Sequence, residues 1–578
     1  MSPTAQAPQG DEAVHLPPHA TAPANMVGTA DEALAGGRLE QSLSLLQSLR
    51  LYRKAVFWSI ALSTAIVMEG FDIILIGTFY AFPAFQRKFG ELQPNGSYEL
   101  TAAWQSGLSN GSYIGQIIGL WIAGYLADRF GYRRTMLSGL SLIAAFIFIP
   151  FFAPNIVVLL VGQTAMGVPL GFFQTLACTY ASDVCPTQLR AYLTTYVNLC
   201  WVIGQIIASG VLKGLVERND DWAFRIPFAL QWIWPIVVGT AIFLAPESPW
   251  WLVRVGRIAE ARQAVLRLTD RDAIPDFDAD KAIAMMSYTD SIEKQTSEGM
   301  SYADCFRGVD LRRTEIVCGV WVVQVLCGAS IMGFSSYFYQ QAGLSTSNAF
   351  TMTLVQFCLG GLGVFFSWFL MNWFGRRTLY LAGEAAMIVI LALIGFVSLA
   401  GTHNAPVSWA IGSLLLLFTF VYDCTVGPVC YSLVSELSST RLKIKTVVLA
   451  RNLYNLLSIV TNIITPSMLN PTAWNWGARA GFFWAGTCAL TLVWTFFRVP
   501  EPRGRTYAEL DLLFEAKVSA RKFKSTVVDM PHQLKDNMGK MAPNASAEKA
   551  EESRVEVAWV GGDGLPDAVA VHVDEQMQ

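Results

Sequence analysis

The sequence predicts an all-α membrane protein with twelve transmembrane helices in two halves of six. Hydrophobic residues make up 53% of the 578 residues and charged residues only 15%, against about 25% charged residues in soluble proteins. Apolar runs long enough to cross a bilayer recur along the chain. A hydrophilic stretch, 245–313, separates six of these runs from the other six.

Each predicted span is 19 to 30 residues long, which suffices to cross the hydrocarbon core. The spans are predicted at 56–83, 104–127, 135–153, 155–181, 191–213, 224–244, 314–341, 349–373, 378–399, 406–435, 446–468 and 479–498. The chain therefore divides into a disordered and amphipathic N-terminal segment (1–55), a first half (56–244), a central loop (245–313), a second half (314–498) and a C-terminal tail (499–578).

The distribution of lysine and arginine predicts the orientation. Nineteen of them lie in the central stretch and in the loops that follow even-numbered spans, and six lie in the loops on the other side. Because cytosolic loops carry the excess of basic residues, both termini and the central loop are predicted to be cytosolic.

The composition excludes several classes of function. A net charge of −3 without a basic block disfavours nucleic acid as a partner. There is no CxxC motif or His/Cys cluster, so no metal site or other cofactor is predicted, and no nucleophile–base or phosphate-loop pattern indicates an enzyme. The partners expected from this composition are the lipid bilayer and a small solute.

Two carboxylates in the first span contradict its apolar character. Glu69 and Asp72 are three residues apart, so both face the same side of a helix. An ionised carboxylate at the bilayer centre costs about 2.5–3.5 kcal/mol. The pair therefore predicts a functional site, although an ion pair with another helix is the alternative explanation.

Short motifs at the predicted cytosolic ends repeat between the halves. GYLADRFGYRR (124–134) follows span 2 and NWFGRR (372–377) follows span 8. YASDVCPTQLR (180–190), PESPWWL (246–252) and PEPRG (500–504) follow spans 4, 6 and 12. In this order the motifs resemble those of the sugar porters of the major facilitator superfamily, over about residues 50–515.

Longer runs resemble a subgroup of that family, the fungal α-glucoside (maltose-type) proton symporters. They are MEGFD (68–72), VGQ (161–163) with GVPLGFFQTLACTYASDVCP (167–186), ARNLYN (450–455) and NPTAWNWGA (470–478). Proton-coupled sugar porters usually carry an arginine in span 4 that faces the span 1 acid, whereas this chain has Gln163. The resemblance therefore implies a proton-coupling set of Glu69, Asp72 and Arg451. Pairing of Arg451 with Asp423, or snorkelling of Arg451 to the interface, remains an alternative.

The resemblance also implies a solute site near the midplane, where amide and aromatic side chains suit a sugar. Gln116 replaces a glutamate that members of the subgroup often carry in span 2, which puts the strength of proton coupling in question. For each single polar residue, hydrogen bonding between helices is the alternative role. The expected substrate-binding residues are Gln163, Asn198, Gln205, Gln324, Ser330, Gln356 and Tyr431.

Acids and arginines at the cytosolic helix ends predict a gate. Opposite charges there can pair across the two halves while the cytosolic side is closed and separate when it opens. Positive-inside topology with helix capping is the simpler explanation for the arginines, but it does not require the acids. The predicted gate residues are Asp128, Arg129, Arg133, Arg134, Asp183, Arg190, Glu247, Arg376, Arg377, Glu436, Arg441 and Glu501.

These observations together predict proton-coupled uptake of a maltose-like α-glucoside by alternating access across the plasma membrane. Transport of another sugar or polyol, with or without protons, is one alternative. A transporter-like sugar sensor that signals through its cytosolic tail is another. The sequence predicts neither the particular sugar nor the oligomeric state.

Overall fold

The computed structural model describes residues 45–93, 96–185, 187–270, 277–297, 301–401, 405–439, 442–503, 505, 510 and 513–526. Within these ranges eleven helices are long and apolar enough to cross a membrane. They are Arg53–Phe79, Tyr132–Phe151, Ile156–Ala181, Thr195–Leu215, Trp222–Leu244, Gly308–Gly333, Thr346–Met371, Arg376–Ser398, Ala405–Leu437, Lys445–Leu469 and Gly477–Arg498. Each corresponds to one predicted span.

The second predicted span is a helix of 29 residues, Ala102–Phe130, about 43 Å long. It is less apolar than the others because glycine, serine, asparagine and glutamine recur along it. Several of these polar residues, among them Gln105, Asn110 and Gln116, are buried inside the protein. The prediction of twelve spans in two halves of six is therefore confirmed.

Several spans contain breaks, and the sharpest lies in span 7. There Gly328 adopts a φ of 96° inside a π-helical turn, Val325–Ala329, which a residue with a side chain rarely adopts. The spans as built are Arg53–Ser63 with Ala65–Phe79, Ala102–Phe130, Tyr132–Phe146 with Phe148–Phe151, Ile156–Val184, Thr187–Leu215, Trp222–Leu230 with Ile233–Leu244, Gly308–Gln324 with Val325–Ala329, Ser330–Gly333 and Ser335–Gln341, Thr346–Trp373, Arg376–Ser398, Ala405–Cys424 with Val426–Leu437, Lys443–Leu469, and Ala480–Arg498.

Shorter elements lie outside the spans. The central loop forms three helices, Pro249–Arg254, Ile258–Leu268 and Ala279–Ser297, and a 3₁₀ turn, Tyr302–Phe306. The remaining elements are the helices Leu45–Leu51 and Pro83–Phe89, the antiparallel strands Glu91–Leu92 and Tyr98–Glu99, and the 3₁₀ turns Gly477–Arg479 and Ala520–Lys522.

Glycine fixes span 1 against span 5 at the depth of the acid pair. A Cβ atom on Gly70 would lie 2.3 Å from the carbonyl oxygen of Trp201, and one on Gly204 would lie 2.1 Å from that of Val67. Small residues allow such close backbone approach between membrane helices. Glu69 and Asp72 are consequently held in a rigid position and are almost fully buried.

The two halves contact each other at the ends that are predicted to face outside. Gln340 donates to the carbonyl of Ala81 (2.9 Å), Asn470 donates to that of Leu100 (2.8 Å), and the Tyr337 hydroxyl donates to Glu99. Burial raises the pKa of the Glu99 carboxyl above its usual range, against the opposing effect of the Tyr337 hydrogen bond. The outer ends are therefore closed in this structure.

The internal repeat is visible at the cytosolic ends. Glu247, after span 6, accepts hydrogen bonds from the backbone N–H of Tyr132 (3.0 Å) and Arg133 at the start of span 3. Glu501, after span 12, accepts from the backbone N–H of Arg376 (2.9 Å) and Arg377 at the start of span 9. In each half a carboxylate satisfies the free N–H groups at a helix N-terminus.

We expect the Glu247→Ala substitution to lower the melting temperature of the purified protein by about 2–4 °C, because loss of a helix cap costs about 1–2 kcal/mol. Glu247→Gln keeps one acceptor and should lie between the two. Glu260→Ala is the matched control, since Glu260 is exposed and pairs only locally with Arg257. Equal melting temperatures for Glu247→Ala and Glu260→Ala would contradict the capping role.

Candidate functional site

A cavity lies between the two halves, with an empty volume of about 1210 Å³. Its wall is formed by spans 1, 2, 4 and 5 of the first half and by spans 7, 8, 10 and 11 of the second. Both halves therefore contribute to one internal site.

Six of the seven predicted substrate-binding residues line this cavity. They come from spans 4, 5, 7 and 10, so the cavity brings together positions up to 268 residues apart in the sequence. Three of them, Gln163, Asn198 and Gln324, are buried. The six are Gln163, Asn198, Gln205, Gln324, Ser330 and Tyr431.

Gln356 lies outside the cavity wall. Its side chain is fully buried, and the side-chain oxygen Oε1 accepts a hydrogen bond of 2.7 Å from the hydroxyl of Tyr339. Here the structure shows hydrogen bonding between spans 7 and 8, the alternative that the sequence left open. One turn further along span 8, a Cβ atom on Gly360 would lie 2.5 Å from Oδ2 of Asp423, so the Asp423 carboxylate of span 10 occupies the space beside Gly360.

Aromatic side chains form a large part of the wall, and most of them were not predicted. Tyr113, Trp201, Tyr422 and Tyr454 line the cavity together with the predicted Tyr431. Their rings offer flat apolar faces, and their hydroxyl or indole groups offer hydrogen bonds. The motif ARNLYN contains Tyr454, but only the fold shows that its ring faces the cavity.

The two acids of span 1 have different surroundings. Asp72 lines the cavity and accepts a hydrogen bond of 2.9 Å from Nε2 of Gln231, which lies between the two helices of span 6. Its second oxygen, Oδ2, has no hydrogen-bond partner among the described residues. Of the two acids, Asp72 is thus the one that a solute in the cavity can contact.

Glu69 lies behind the wall and connects to Arg451 through Gln174 of span 4. The Gln174 amide nitrogen donates to Glu69 and to Oε1 of Gln116 (3.0 Å), and its oxygen accepts from Nε of Arg451 (3.1 Å). A carboxylate, an amide and a guanidinium thus form a chain that crosses from the first half to the second. Sequence reasoning assigned no role to Gln174, although it lies in the run GVPLGFFQTLACTYASDVCP (167–186), because 105 residues separate it from Glu69.

Arg451 is enclosed by aromatic rings. Its guanidinium carbon lies 4.4 Å from the ring centroid of Tyr454, 4.7 Å from that of Trp321 and 5.9 Å from that of Trp201. Such contacts stabilise a cation by about 0.5–2 kcal/mol each. Because Arg451 lines the cavity, it does not snorkel to the membrane surface, and its hydrogen bond runs towards Glu69 through Gln174.

The predicted gate residues form contacts within each half. Arg376 pairs with Glu436 (Nη2 to Oε1, 3.1 Å), and Asp183 accepts a hydrogen bond of 2.9 Å from Ser248. Arg129 donates to Tyr125 of its own helix. Arg441 and the side chain of Arg190 lie outside the described residues. Pairing across the halves therefore stays a prediction.

Comparison with known proteins agrees with this architecture. The family model of the sugar (and other) transporters matches residues 58–514. The general alpha-glucoside permease of Saccharomyces cerevisiae is 45% identical over 511 residues, which cover 87% of this chain and 82% of that protein. The maltose permease MAL61 of the same organism is 43% identical, covering 85% and 80% of the two chains.

Among solved structures, the proton:xylose symporter XylE bound to 6-bromo-6-deoxy-D-glucose superposes with a TM-score of 0.64. It is 18% identical and covers 80% of this chain and 100% of its own, which shows the shared fold. The partially occluded, inward-open form of XylE from E. coli gives a TM-score of 0.60. The chain belongs to the family of sugar (and other) transporters.

Proposed function

We propose that this protein takes up an α-glucoside, a maltose-like di- or oligosaccharide, together with protons by alternating access. The observation that carries the proposal is the cavity, in which an acid, a guanidinium, amides and aromatic rings meet. Relatives that are 45% and 43% identical over most of the chain are an alpha-glucoside permease and a maltose permease. The sugar would cross the membrane chemically unchanged, so the protein would not be an enzyme.

The sugar would be held by groups from both halves. Gln163 and Gln205 come from the first half, and Gln324 and Ser330 come from the second. Amide groups donate and accept hydrogen bonds at once, as sugar hydroxyls require. Gln163 is fully buried in the cavity wall, where its amide is available to a sugar hydroxyl.

Asp72 and Glu69 would carry the coupling. A proton that reaches Asp72 from the cavity removes a buried charge and lowers the cost of enclosing the sugar in a dry site. Glu69 would set the position of Arg451 through Gln174, so a change in its charge would be felt in the other half. We propose Glu69, Asp72 and Arg451 as the proton-coupling set. Gln174, which contacts Glu69 and Arg451, would be the residue that positions these two side chains.

Alternating access would open one end of the cavity at a time. The outer contacts of Tyr337, Gln340 and Asn470 would break for sugar to enter, and the charged cytosolic ends would rearrange for it to leave. We propose the plasma membrane as the location, because uptake requires contact with external sugar.

Uptake of labelled maltose in a host that lacks sugar transporters is the direct measurement. We expect maltose, trehalose, sucrose or isomaltose to compete more strongly than glucose, and addition of the transported sugar to make the medium more alkaline. A protonophore should abolish accumulation. If uptake does not change with the protonophore or with external pH, the protein is a facilitator rather than a proton symporter. If it binds sugar without transporting it, the protein is a sensor.

Asp72→Asn, Glu69→Gln and the double variant should lose accumulation of sugar against a gradient, because an amide cannot carry the proton. Exchange of sugar at equal concentrations on both sides should survive in at least one single variant. Glu217→Gln is the control, since Glu217 is an exposed acid outside the cavity. Continued accumulation by the double variant would contradict the assignment of these carboxylates.

A comparison of Gln205→Ala with Gln356→Ala tests whether the sugar contacts the cavity wall, because Gln205 lines the cavity and Gln356 lies behind it. Loss of a hydrogen bond to sugar costs about 1–2 kcal/mol, so Gln205→Ala should raise the KM about 5- to 30-fold. Gln356→Ala should reduce thermal stability and leave the KM within about twofold, because Gln356 bonds to Tyr339. The opposite pattern would show that the cavity is not the sugar site.

A further inference from the structure

Two arginines lie over one phenylalanine at the cytosolic end of span 12. The guanidinium of Arg377, in span 9, is 5.4 Å from the ring centroid of Phe496 and donates to its carbonyl oxygen (2.7 Å). The guanidinium of Arg521, in the C-terminal segment, is 5.9 Å from the same ring and 5.5 Å from that of Phe497. We call Arg377 and Arg521 the interfacial arginine pair.

The rings beneath this pair face outward from the helix bundle. Phe496 is 42% exposed and Phe497 is 54% exposed, close to the end of span 12 at Arg498. In a membrane these rings therefore contact lipid at the depth where acyl chains meet headgroups. The arginine pair consequently lies at the level of the phosphates.

The C-terminal segment holds Arg521 in this place. Phe514 and Phe523 are buried, pack edge to face against each other, and lie under the guanidinium of Arg312 (5.3 and 5.8 Å). Arg505 donates to the carbonyl of Phe523 (3.0 Å). Residues 513–526 are therefore anchored to the transmembrane part, and Arg521 is not at the end of a loose tail.

Charge at this corner is strongly positive. Within 513–526, Lys517, Arg521, Lys522 and Lys524 are exposed, and Glu515 is the single acid of that segment. Glu501 lies nearby, but its oxygens accept from backbone N–H groups of span 9. Two guanidinium groups near one ring repel each other unless an anion lies between or beside them.

The first half repeats the arrangement. Arg133 lies 5.2 Å from the ring of Phe243, near the end of span 6, and donates to its carbonyl oxygen. Arg267 of the central loop donates to the carbonyl of Leu244 (2.6 Å), and Phe243 and Leu244 are 63% and 54% exposed. In each half an arginine therefore lies over a lipid-facing ring at the cytosolic surface, and in the first half the second arginine, Arg267, binds the backbone next to that ring.

We propose that the interfacial arginine pair binds the phosphate of an anionic phospholipid of the cytosolic leaflet, with an acyl chain against Phe496 and Phe497. Guanidinium groups match phosphate geometry in two parallel hydrogen bonds. The cytosolic leaflet is the one that is rich in anionic lipid, and basic residues there are attracted to its surface. The repeat at Phe243 is the equivalent site of the first half.

The test is a titration of the full-length protein in detergent with phosphatidylserine, in which native mass spectrometry counts the lipids bound. Arg521→Gln should weaken the tightest lipid binding about fivefold, and Arg521→Lys should weaken it about twofold or less. The double variant Arg267→Gln/Arg521→Gln should lose tight binding in both halves. Arg218→Gln, an exposed arginine on the opposite face, should bind as the wild type does.

Phosphatidylcholine should not compete, because its headgroup carries no net charge. Inorganic phosphate and glycerophosphoserine should not compete either, because they have no acyl chains. The melting temperature of each variant checks its folding. If Arg521→Gln fails to fold, Lys522→Gln/Lys524→Gln carries the test and should weaken binding in the same direction. Wild-type binding by these variants, equal binding of phosphatidylcholine, or displacement by free phosphate would overturn the proposal.

Discussion

Burial of charge inside the membrane is the constraint on which this structure depends. Glu69 and Arg451 belong to different halves, and neither side chain is surrounded by bulk water. Gln174 joins them, because its nitrogen donates to the carboxylate and its oxygen accepts from the guanidinium. The aromatic rings of Trp321 and Tyr454 supply the remaining stabilisation of the cation. Without such compensation each charge would cost several kcal/mol.

Close helix packing keeps these groups in register. Spans 1 and 5 approach through Gly70 and Gly204, and spans 2 and 4 approach through glycines on both helices, such as Gly115 and Gly167. A Cβ atom on Gly115 would lie 2.2 Å from the carbonyl oxygen of Thr164. Backbones this close cannot slide past one another, so the first half behaves as one unit. The carboxylate caps of Glu247 and Glu501 hold the cytosolic helix ends of the two units.

Much of the fold followed from the sequence, because length and hydropathy determine which segments can span a bilayer. Span 2 could also be predicted, since its glycines and amides interrupt the apolar run without shortening it. The acid pair and Arg451 stood out because charge is rare at that depth. The resemblance to the sugar porters then predicted six residues of the cavity wall.

The rest depended on contacts between distant residues. Gln174 lies in a run that resembles the α-glucoside subgroup, but its role could not be predicted, because a run of residues does not show which side chains contact one another. Gln356 was misplaced for the related reason that a helix turn decides which side chain faces a cavity. The Asp423 carboxylate fills the space beside Gly360, and only the packing of spans 8 and 10 shows this. The partners of the cytosolic acids could not be predicted either, because a sequence motif shows which residues are charged but not which residues they contact.

The orientation of the Gln174 amide has an electrical consequence. Its nitrogen faces Glu69 and Gln116, so both must present an oxygen, and its oxygen faces Arg451. Among the described residues that line the cavity, Arg451 is the single basic one. With glutamine at position 116, this hydrogen-bonded group of side chains contains one carboxylate, Glu69, for one guanidinium, Arg451. Asp72 and Asp423 are the acids that line the cavity, so the net charge that the cavity presents to a passing solute changes by one when either of them gains or loses a proton.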